Sequence, residues 1–431
     1  MNQEVFVTAG FTDITPHRPA ILGGYERRTT PFRSVADPLE ANVLILEDAN
    51  ERSIIVTADL LYPGELLRSE LLGTLNLSDE ELFLCASHTH YAPMTAPSMS
   101  RLGSVDRSYV SYVAGRIATL IQSLLRIDQP RNSCICKYQE GLLDHSINRR
   151  LRSLRLTRSG LSRTIGIGPN AEGDRDETVR LIRFEGIGGA PIAIVWSYAC
   201  HATDFYDLTQ VSAAYPGKVR ARLRDKYGNL PVLFFQGFSG DARPPFAGLS
   251  REARVIIARL LRGPQFRLPG KREWEGWSRG MADSVCALTD AAARPLVIRT
   301  LRPRRIAIPE RDFLTDGSGN QALTWHIIEC GDFLVAGINA EPVVGYRKLL
   351  ERALPGKILF TVGCLDQTRC YLPTDNMLCE GGYEVDGFRS LFGFQGKFRE
   401  HLQDSIIGPL RAASEAEPSL SELGSPADTQ A

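Results

Sequence analysis

The sequence lacks a net charge, a long apolar run and a recognisable export signal, and each absence excludes a class of protein. Its 431 residues carry 50 Lys and Arg against 50 Asp and Glu, so no overall field attracts nucleic acid or an anionic membrane. No stretch approaches the roughly 18 apolar residues that a membrane-spanning helix requires. The first residues show no basic segment followed by an apolar one. We therefore expect a cytoplasmic protein that binds no nucleic acid and has no transmembrane segment.

Cysteine is present, but not in a pattern that indicates disulfides. The nine cysteines are an odd number and no secretory signal accompanies them, so most are expected to be reduced and buried. Cys134 and Cys136 alternate on a predicted strand at 133–138, which places both sulfurs on one side. No second pair accompanies them, which argues against a structural zinc knuckle.

What the sequence does contain is an alternation of short β-branched runs with longer segments of helical periodicity. Further strands are predicted at 41–46, 53–57, 82–86, 178–184, 191–197, 232–236 and 333–339, and helices at 107–125, 214–226, 251–261, 277–293, 342–352 and 387–410. This alternation predicts an α/β fold with a mixed β-sheet core flanked by helices. No linker or repeat divides residues 1–411, which we interpret as one domain, and the small, acidic residues 412–431 predict a disordered tail.

Histidine is scarce, and the informative histidines follow apolar strands. Of only seven in the chain, His88 and His90 end one such run and His201 ends another. A spacing of two on an extended backbone would put His88 and His90 on one side, where a metal binds one or both. For this pair alone, solvent-facing or hydrogen-bonded histidines remain an alternative. Imidazoles at two strand ends suit zinc.

A carboxylate follows a third apolar run. Glu341 ends the segment 333–341 and precedes Pro342, which is expected as the first residue of a helix. One interpretation is that Glu341 favours the helix N-terminus through the helix dipole. The other is that it joins the histidines, since two histidines and a carboxylate commonly hold catalytic zinc with one open coordination position.

Two later loops are rich in residues of special chemistry. The loop 236–245 contains Asp241 and Arg243, and the segment 371–384 contains Tyr371 and Tyr383. Ordinary turn chemistry accounts for either loop taken alone. The glycines in both loops also permit a ligand to approach the backbone closely.

Taken in this order, the motifs resemble the neutral/alkaline, non-lysosomal ceramidase family, specifically its zinc-containing catalytic domain. The resemblance extends over nearly the whole chain through short motifs at 11–16, 23–25, 87–90, 148–149, 200–203, 215–217, 240–241, 341, 371 and 383. It implies that His88, His201, Glu341 and Tyr371 hold Zn²⁺. Water or a substrate carbonyl would take the remaining position.

The resemblance also implies the catalytic residues. His90 would act as general base and acid, while Arg149 and Tyr383 would orient the carbonyl or stabilise the oxyanion. For Arg149, an ordinary surface arginine is the alternative, because two further arginines follow it closely. Asp241 would lie beside the substrate, where it is more suited to holding a loop than to attacking a carbonyl.

One position departs from the family pattern. Ceramidases carry a serine two residues beyond the Gly-Asp pair, and Arg243 stands there in this sequence. Ceramide itself is therefore not the expected substrate. A guanidinium at this position would suit a carboxylate or phosphate on a different one.

The leading hypothesis is a zinc-dependent amidohydrolase, ceramidase-like and active on linear amides. Metal-activated water would cleave the amide (N-acyl) bond of a small or lipid-like molecule, which suggests a place in lipid metabolism. Two alternatives stay open: a zinc-dependent tailoring enzyme that performs acyl transfer or cyclisation on a small metabolite, and a non-catalytic, metal-dependent binding module.

Overall fold

The computed structural model describes residues 4–26, 28–126, 134–157, 160–248, 263–317 and 322–415. The α-helices of these ranges are Gly64–Leu75 (α1), Arg107–Leu125 (α2), Ala214–Tyr227 (α3), Lys271–Leu288 (α4), Glu310–Phe313 (α5), Gly345–Ala353 (α6), Asp375–Glu380 (α7), Arg389–Phe392 (α8) and Leu402–Glu415 (α9). A 3₁₀-helix at Pro97–Leu102 and a π-helical turn at Tyr383–Gly387 accompany them. The helix predicted at 251–261 and residues 416–431 of the predicted tail lie outside the described residues, while residues 412–415 belong to α9.

Three mixed sheets form the framework. The N-terminal sheet has the strand order Phe6–Asp13, Glu40–Glu47, Arg52–Ala58, Leu82–Ala86. The central sheet has the order Val232–Gln236, Pro191–Tyr198, Thr178–Gly186, Cys134–Leu142, Arg294–Leu296. The C-terminal sheet has the order Leu301–Ile308, Leu323–Cys330, Phe333–Ile338, Ile358–Val362. Each sheet contains one parallel pair. In the N-terminal and C-terminal sheets it is formed by the last two strands of the order given, and in the central sheet by the first two. The other neighbours are antiparallel.

Four smaller sheets complete the strands of the described ranges. They pair Ala242–Arg243 with Ile147–Thr157 and Gly160–Asn170, Ser34–Val35 with Gln210–Val211, Ala247–Gly248 with Gln265–Phe266, and Glu341–Pro342 with Tyr371–Leu372.

The inner faces of the three large sheets share one apolar core. A single buried cluster contains Phe83 of the N-terminal sheet, Phe184 and Phe235 of the central sheet, and Phe360 of the C-terminal sheet. Every residue of Leu82–Ala86 is buried because helices cover the other face. A strand buried on both faces reads as a continuous apolar run rather than an alternation, which is how it is written in the sequence.

Helices cover the outer faces of the sheets. α1 and α2 pack on the N-terminal sheet, α3 and α4 on the central sheet, and α6 and α9 on the C-terminal sheet. α2 begins where the Asp106 carboxylate accepts hydrogen bonds from the backbone N–H groups of Ser108 and Tyr109. None of the helices described here is long and apolar enough to cross a bilayer.

The prediction of a mixed α/β fold is confirmed, and three local predictions need correction. The helix predicted at 387–410 is two helices, because α8 ends at Gly393 in the left-handed region with φ of 63°. α4 begins at Lys271 and ends at Leu288, so the prediction of 277–293 was displaced toward the C-terminus. Pro342 does not begin a helix, because Glu341–Pro342 pairs as a strand with Tyr371–Leu372.

Candidate metal centre

Side chains that follow strands of three different sheets meet at one place. His88 follows the last strand of the N-terminal sheet, His201 follows Pro191–Tyr198, and Glu341 follows Phe333–Ile338. All three are buried, and their ligand atoms lie within 4.8 Å of one another. Oε2 of Glu341 is 3.3 Å from Nε2 of His201 and 3.6 Å from Nε2 of His88. The structure therefore brings together the three residues that the strand-end pattern selected.

Backbone carbonyls orient both imidazoles. Nδ1 of His88 lies 3.1 Å from the carbonyl oxygen of Leu61, and Nδ1 of His201 lies 3.0 Å from that of Ala242. When Nδ1–H donates to a carbonyl, the tautomer is selected in which Nε2 presents its lone pair. Both Nε2 atoms then face Glu341 as potential ligands.

His88 reaches the site from an unexpected backbone conformation. Its φ is 61°, in the left-handed region, so the extended backbone predicted for His88 to His90 is wrong at its first residue. The two imidazoles nevertheless lie together, with ring centroids 5.0 Å apart. A non-glycine residue in this region costs on the order of 1–3 kcal/mol and is typical of functional sites.

The protonation states of the cluster match those of a metal site. Burial lowers the pKa of His201 to about 4, and the charge of Arg149 acts in the same direction. Burial also lowers the pKa of His88. Burial acts to raise the pKa of Glu341, but His88 and His201 beside it lower that pKa to about 2. Neutral imidazoles and an ionised carboxylate are the forms that bind a divalent cation.

Two ligand atoms have no hydrogen-bond partner among the described residues. They are Nε2 of His88 and Oε2 of Glu341, both buried and both directed at the cluster. A buried polar atom without a partner costs about 1–3 kcal/mol, which a bound cation would offset. Two imidazole nitrogens with a carboxylate are a donor set that fits zinc.

Two tyrosines flank Glu341. The hydroxyl of Tyr371 lies 3.4 Å from Nε2 of His201, and Tyr371 stands directly opposite Glu341 in their parallel strand pair. Tyr62 donates a hydrogen bond to Oε1 of Glu341. Burial raises the pKa of both phenols well above the usual value, and the Glu341 charge adds to this. The structure thus places Tyr371 at the cluster, together with Tyr62, which was not among the predicted residues.

Arg149 lies against the cluster. Its Nη1 is 3.4 Å from Nε2 of His201, and its guanidinium carbon is 5.3 Å and 5.1 Å from the ring centroids of Tyr371 and Tyr383. The side chain is buried, with Nη2 unpartnered among the described residues. The alternative of a surface arginine therefore does not hold.

A β-bulge directs two consecutive arginines to the same carboxylate. The register of the strand Ile147–Thr157 against its neighbour shifts between residues 148 and 150, which interrupts the usual alternation of side chains. Nε of Arg149 donates to Oε1 of Glu384 at 2.8 Å, and Nη1 of Arg150 donates to Oε2 at 2.7 Å. Glu384 was not predicted, and the one signal for it was its position in the loop that contains Tyr383.

His90 lies beside the three-residue cluster. Its ring centroid is 5.0 Å from that of His88 and 6.2 Å from that of His201. Both ring nitrogens are buried and make no hydrogen bond within the described part of the chain. Burial, together with the two neighbouring histidines, holds the pKa of His90 well below 6.5. Gly24 approaches so closely that a Cβ there would lie 2.3 Å from Nδ1 of His90.

The two residues predicted at the substrate both have protein partners. The buried carboxylate of Asp241 accepts hydrogen bonds from the backbone N–H of Val344 at 2.8 Å and from Nδ2 of Asn148 at 2.9 Å. It therefore connects its loop to two distant segments. Arg243 forms a bidentate ion pair with Asp204, so its charge is already balanced within the chain.

Comparison with known proteins adds evidence on the fold. No protein-family model and no curated protein matches the sequence. Among solved structures, neutral ceramidase from Pseudomonas aeruginosa matches with a TM-score of 0.71 at 14% identity, over 96% of this chain and 75% of that chain. A ceramidase complexed with C2 matches with a TM-score of 0.70 at 14% identity, over 96% of this chain and 76% of that one. The chain therefore has a ceramidase-like fold, as the motifs implied.

Proposed function

We propose that this protein is a zinc-dependent hydrolase that cleaves the amide (N-acyl) bond of a small or lipid-like molecule. The observation that carries the proposal is the convergence of His88, His201 and Glu341 from three sheets, where two buried ligand atoms have no hydrogen-bond partner among the residues that the structure describes. The proteins with a similar fold are named as ceramidases, and this likeness supports amide hydrolysis as the reaction. A role in lipid metabolism and a cytoplasmic location remain predictions from the sequence.

Zinc would be held by His88, His201, Glu341 and Tyr371. When bound, the ion polarises a carbonyl oxygen and lowers the pKa of a water molecule. Tyr62 would hold the Glu341 carboxylate in place through its hydrogen bond to Oε1. Tyr371 would have to lose its phenolic proton or bind through a lone pair.

His90 is our candidate for the general base and acid. The ring is neutral near pH 7 because its pKa is well below 6.5, and neither nitrogen is engaged by a described residue. It is therefore able to accept a proton from an attacking water and to donate one to the leaving nitrogen. The close approach of Gly24 would limit the positions that the ring adopts.

Arg149 and Tyr383 would stabilise the negative charge that develops on the carbonyl oxygen. Burial acts to lower the pKa of Arg149, but Tyr371 and Glu384 raise it above its usual value, so the guanidinium stays charged. The ion pair with Glu384 fixes its position before substrate arrives. Removing one preorganised donor of this kind typically reduces kcat about 10²- to 10³-fold.

The proposal is tested with a panel of N-acyl substrates of varied head group and product identification by mass spectrometry. We expect release of a free carboxylic acid and an amine, loss of turnover after chelation, and recovery when zinc is added back. A transferred or cyclised product without free acid would favour the tailoring enzyme. Zinc-loaded protein that turns over no amide would contradict the hydrolase.

A further inference from the structure

We propose that Arg28 recognises an anionic group on the substrate, close to the amide that is cleaved. This inference rests on the proposed amide hydrolysis and extends it to a substrate class, namely an N-acyl compound that carries a carboxylate or a phosphate. The sequence suggested Arg243 as the residue that binds an anion, and this inference assigns that role to Arg28 instead.

Arg28 is fixed beside His90. Its Nη1 donates hydrogen bonds to the backbone carbonyl oxygens of His90 at 2.5 Å and Gly23 at 2.8 Å. Its guanidinium carbon lies 4.8 Å from the ring centroid of Tyr25 and 5.1 Å from that of Tyr91. These contacts hold the cation against the residue that we propose transfers the proton.

The Arg28 guanidinium has no carboxylate partner within the described ranges. Its Nε and Nη2 are buried and make no hydrogen bond there. The two other arginines near the cluster are neutralised, Arg149 by Glu384 and Arg243 by Asp204. Removing a lone charge from water is unfavourable, and burial accordingly lowers the pKa of Arg28. An anion supplied by the substrate would offset this desolvation.

Asp204 is close to this region but is already engaged. Burial raises the pKa of Tyr25 and of Tyr91, the two rings that contact Arg28, and the charge of Asp204 acts in the same direction on both. Both of its carboxylate oxygens, however, accept hydrogen bonds from Arg243. Asp204 is therefore paired with Arg243, and Nε and Nη2 of Arg28 keep no hydrogen-bond partner among the described residues.

The free atoms of Arg28 have the geometry that recognises an anion. Nε–H and the adjacent Nη2–H point to the same side of the planar guanidinium, where they form a fork that matches two oxygens of a carboxylate or phosphate. The remaining nitrogen, Nη1, is the one that bonds to the backbone. Contacts with the described residues therefore hold Nη1, whereas the bidentate edge is buried and has no hydrogen-bond partner among those residues; an anion of the substrate would supply one.

The experiment compares substrates that differ in one charge. N-acylglycine against N-acylglycinamide tests a carboxylate, N-acylphosphoethanolamine against N-acylethanolamine tests a phosphate, and an N-alkylsuccinamic acid against its neutral diamide tests a carboxylate on the acyl side. For at least one pair, zinc-loaded wild type should have a kcat/KM about 10-fold or more higher for the charged member.

Variants then assign this preference to one side chain. Arg28→Gln retains an N–H donor for the His90 carbonyl but removes the charge, so the preference should fall about 10- to 100-fold. Arg28→Lys should retain part of it. Because the preference is a ratio of two kcat/KM values measured on the same variant, a displacement of His90 that slows both substrates equally does not change it. Arg224→Gln is the comparison, because it removes another partly buried arginine charge, one on α3 that is paired with Glu40, and it should leave the preference unchanged.

The outcomes separate this inference from the proposed function. A wild type without charge preference in any pair, or an unchanged preference in Arg28→Gln, overturns the inference even if amides are hydrolysed. If no amide is turned over, the inference is tested by calorimetry, which compares how tightly zinc-loaded protein binds the charged and the neutral member of each pair. Tighter binding of the charged member that disappears in Arg28→Gln then supports anion recognition by Arg28, and only the proposed hydrolysis is contradicted. Equal binding of the charged and neutral members overturns the inference.

Discussion

Tyr62 shows, at the scale of single residues, how a side chain outside the predicted set controls a proposed ligand. Its hydroxyl donates to Oε1 of Glu341, while Oε2 faces His88 and His201. Hydrogen-bonded partners of this kind orient metal-ligating carboxylates, and their loss typically reduces metal affinity about 10- to 100-fold.

Replacing Tyr62 with phenylalanine should therefore weaken zinc binding by about 10- to 100-fold, as measured by competition with a chromogenic chelator. Tyr109→Phe is a matched control, since it removes another buried tyrosine hydroxyl, one that donates to the Ile14 carbonyl on the side of α2. The control should bind zinc like wild type. Equal affinities for all three proteins would show that Tyr62 does not orient Glu341.

The residues of the proposed site differ in how well the sequence alone predicts them. His88, His201 and Glu341 each follow an apolar run, and this local pattern was sufficient to select them. Tyr371 has no such signal and was selected only by resemblance to the ceramidase family. Tyr62 acts through a contact between positions 279 residues apart, and a contact of that range is set by the packing of whole sheets.

At the scale of elements, Glu384 joins the strand Ile147–Thr157 to the π-helical turn Tyr383–Gly387. It accepts hydrogen bonds from both Arg149 and Arg150 and is itself buried. Removing one partner of a buried ion pair leaves the other charge desolvated, which typically costs about 3–5 kcal/mol. The same ion pair positions Arg149 at the proposed site.

Glu384→Gln should therefore lower the free energy of unfolding in urea by about 3 kcal/mol and reduce kcat as well. Glu380→Gln provides the comparison, because Glu380 pairs with Arg150 and Arg152 at a partly exposed position. Its loss should cost about 1 kcal/mol or less. Similar losses of stability in the two variants would contradict a special role for the buried pair.

The turn that contains Gly24 offers a test of how His90 is positioned. Gly24 has φ of 99°, and a Cβ there would contact the His90 ring. Gly189 has φ of 78°, and a Cβ there would have no atom within 4 Å, so alanine at that position introduces backbone strain without a clash. Gly189→Ala should lose about 1 kcal/mol of stability from backbone strain, and Gly24→Ala should lose more because the clash with the His90 ring adds to the same strain.

Only Gly24→Ala should also lose turnover, by about 100-fold, since a displacement of roughly 1 Å at a catalytic group has effects of this size. Steady-state kinetics on a hydrolysed N-acyl substrate would measure it, with circular dichroism to confirm folding. A Gly24→Ala enzyme as active as Gly189→Ala would argue against His90 as the group that transfers the proton.

The boundaries of helices and strands were predictable where local sequence signals determine them. They were not predictable where strand pairing between distant segments determines them. The strands from 82–86 and 232–236 occur as predicted because each is a short apolar run between turns. The proline at 342 is a local helix-start signal, but the pairing of Glu341–Pro342 with Tyr371–Leu372 overrides it. That pairing also brings Tyr371 to Glu341, so the contact that made the helix prediction wrong also places the fourth proposed ligand.

At the scale of the whole molecule, the proposed metal site depends on the packing of three sheets around one core. The sequence predicted strands and helices but not this arrangement, because the order of strands in space is set by long-range contacts. Since each sheet supplies one ligand, zinc should bind the folded protein far better than the unfolded chain and should stabilise it.

Stability should fall as the solution becomes acidic. In the unfolded chain, histidines titrate near pH 6.5, whereas in the fold the pKa of His201 is about 4 and those of His88 and His90 are also lowered. Between these values the unfolded state binds more protons at these histidines, so their contribution to the free energy of unfolding decreases as pH falls from about 6.5 toward 4 and is level above that window. Asp241 acts in the opposite direction, because burial raises the pKa of its carboxyl to about 6.

For chelator-treated protein, His201 alone should account for a loss of about 2–3 kcal/mol between about pH 7.5 and pH 4.5. Urea denaturation at the two pH values would measure it. His201→Gln should show a smaller loss because it removes one of the titrating groups. A loss in His201→Gln as large as that of wild type would contradict a neutral, buried His201 at the site.

The proposed metal centre is tested most directly by the metal content of the purified protein, measured by inductively coupled plasma mass spectrometry after reconstitution with zinc. We predict one equivalent of zinc per chain for wild type and for Cys134→Ser, which disrupts the contact between the thiols of Cys134 and Cys136. We predict far less than one equivalent for Glu341→Gln and His201→Gln. Wild-type protein that retains no zinc, or equal zinc in wild type and both ligand variants, would contradict a metal centre at His88, His201 and Glu341.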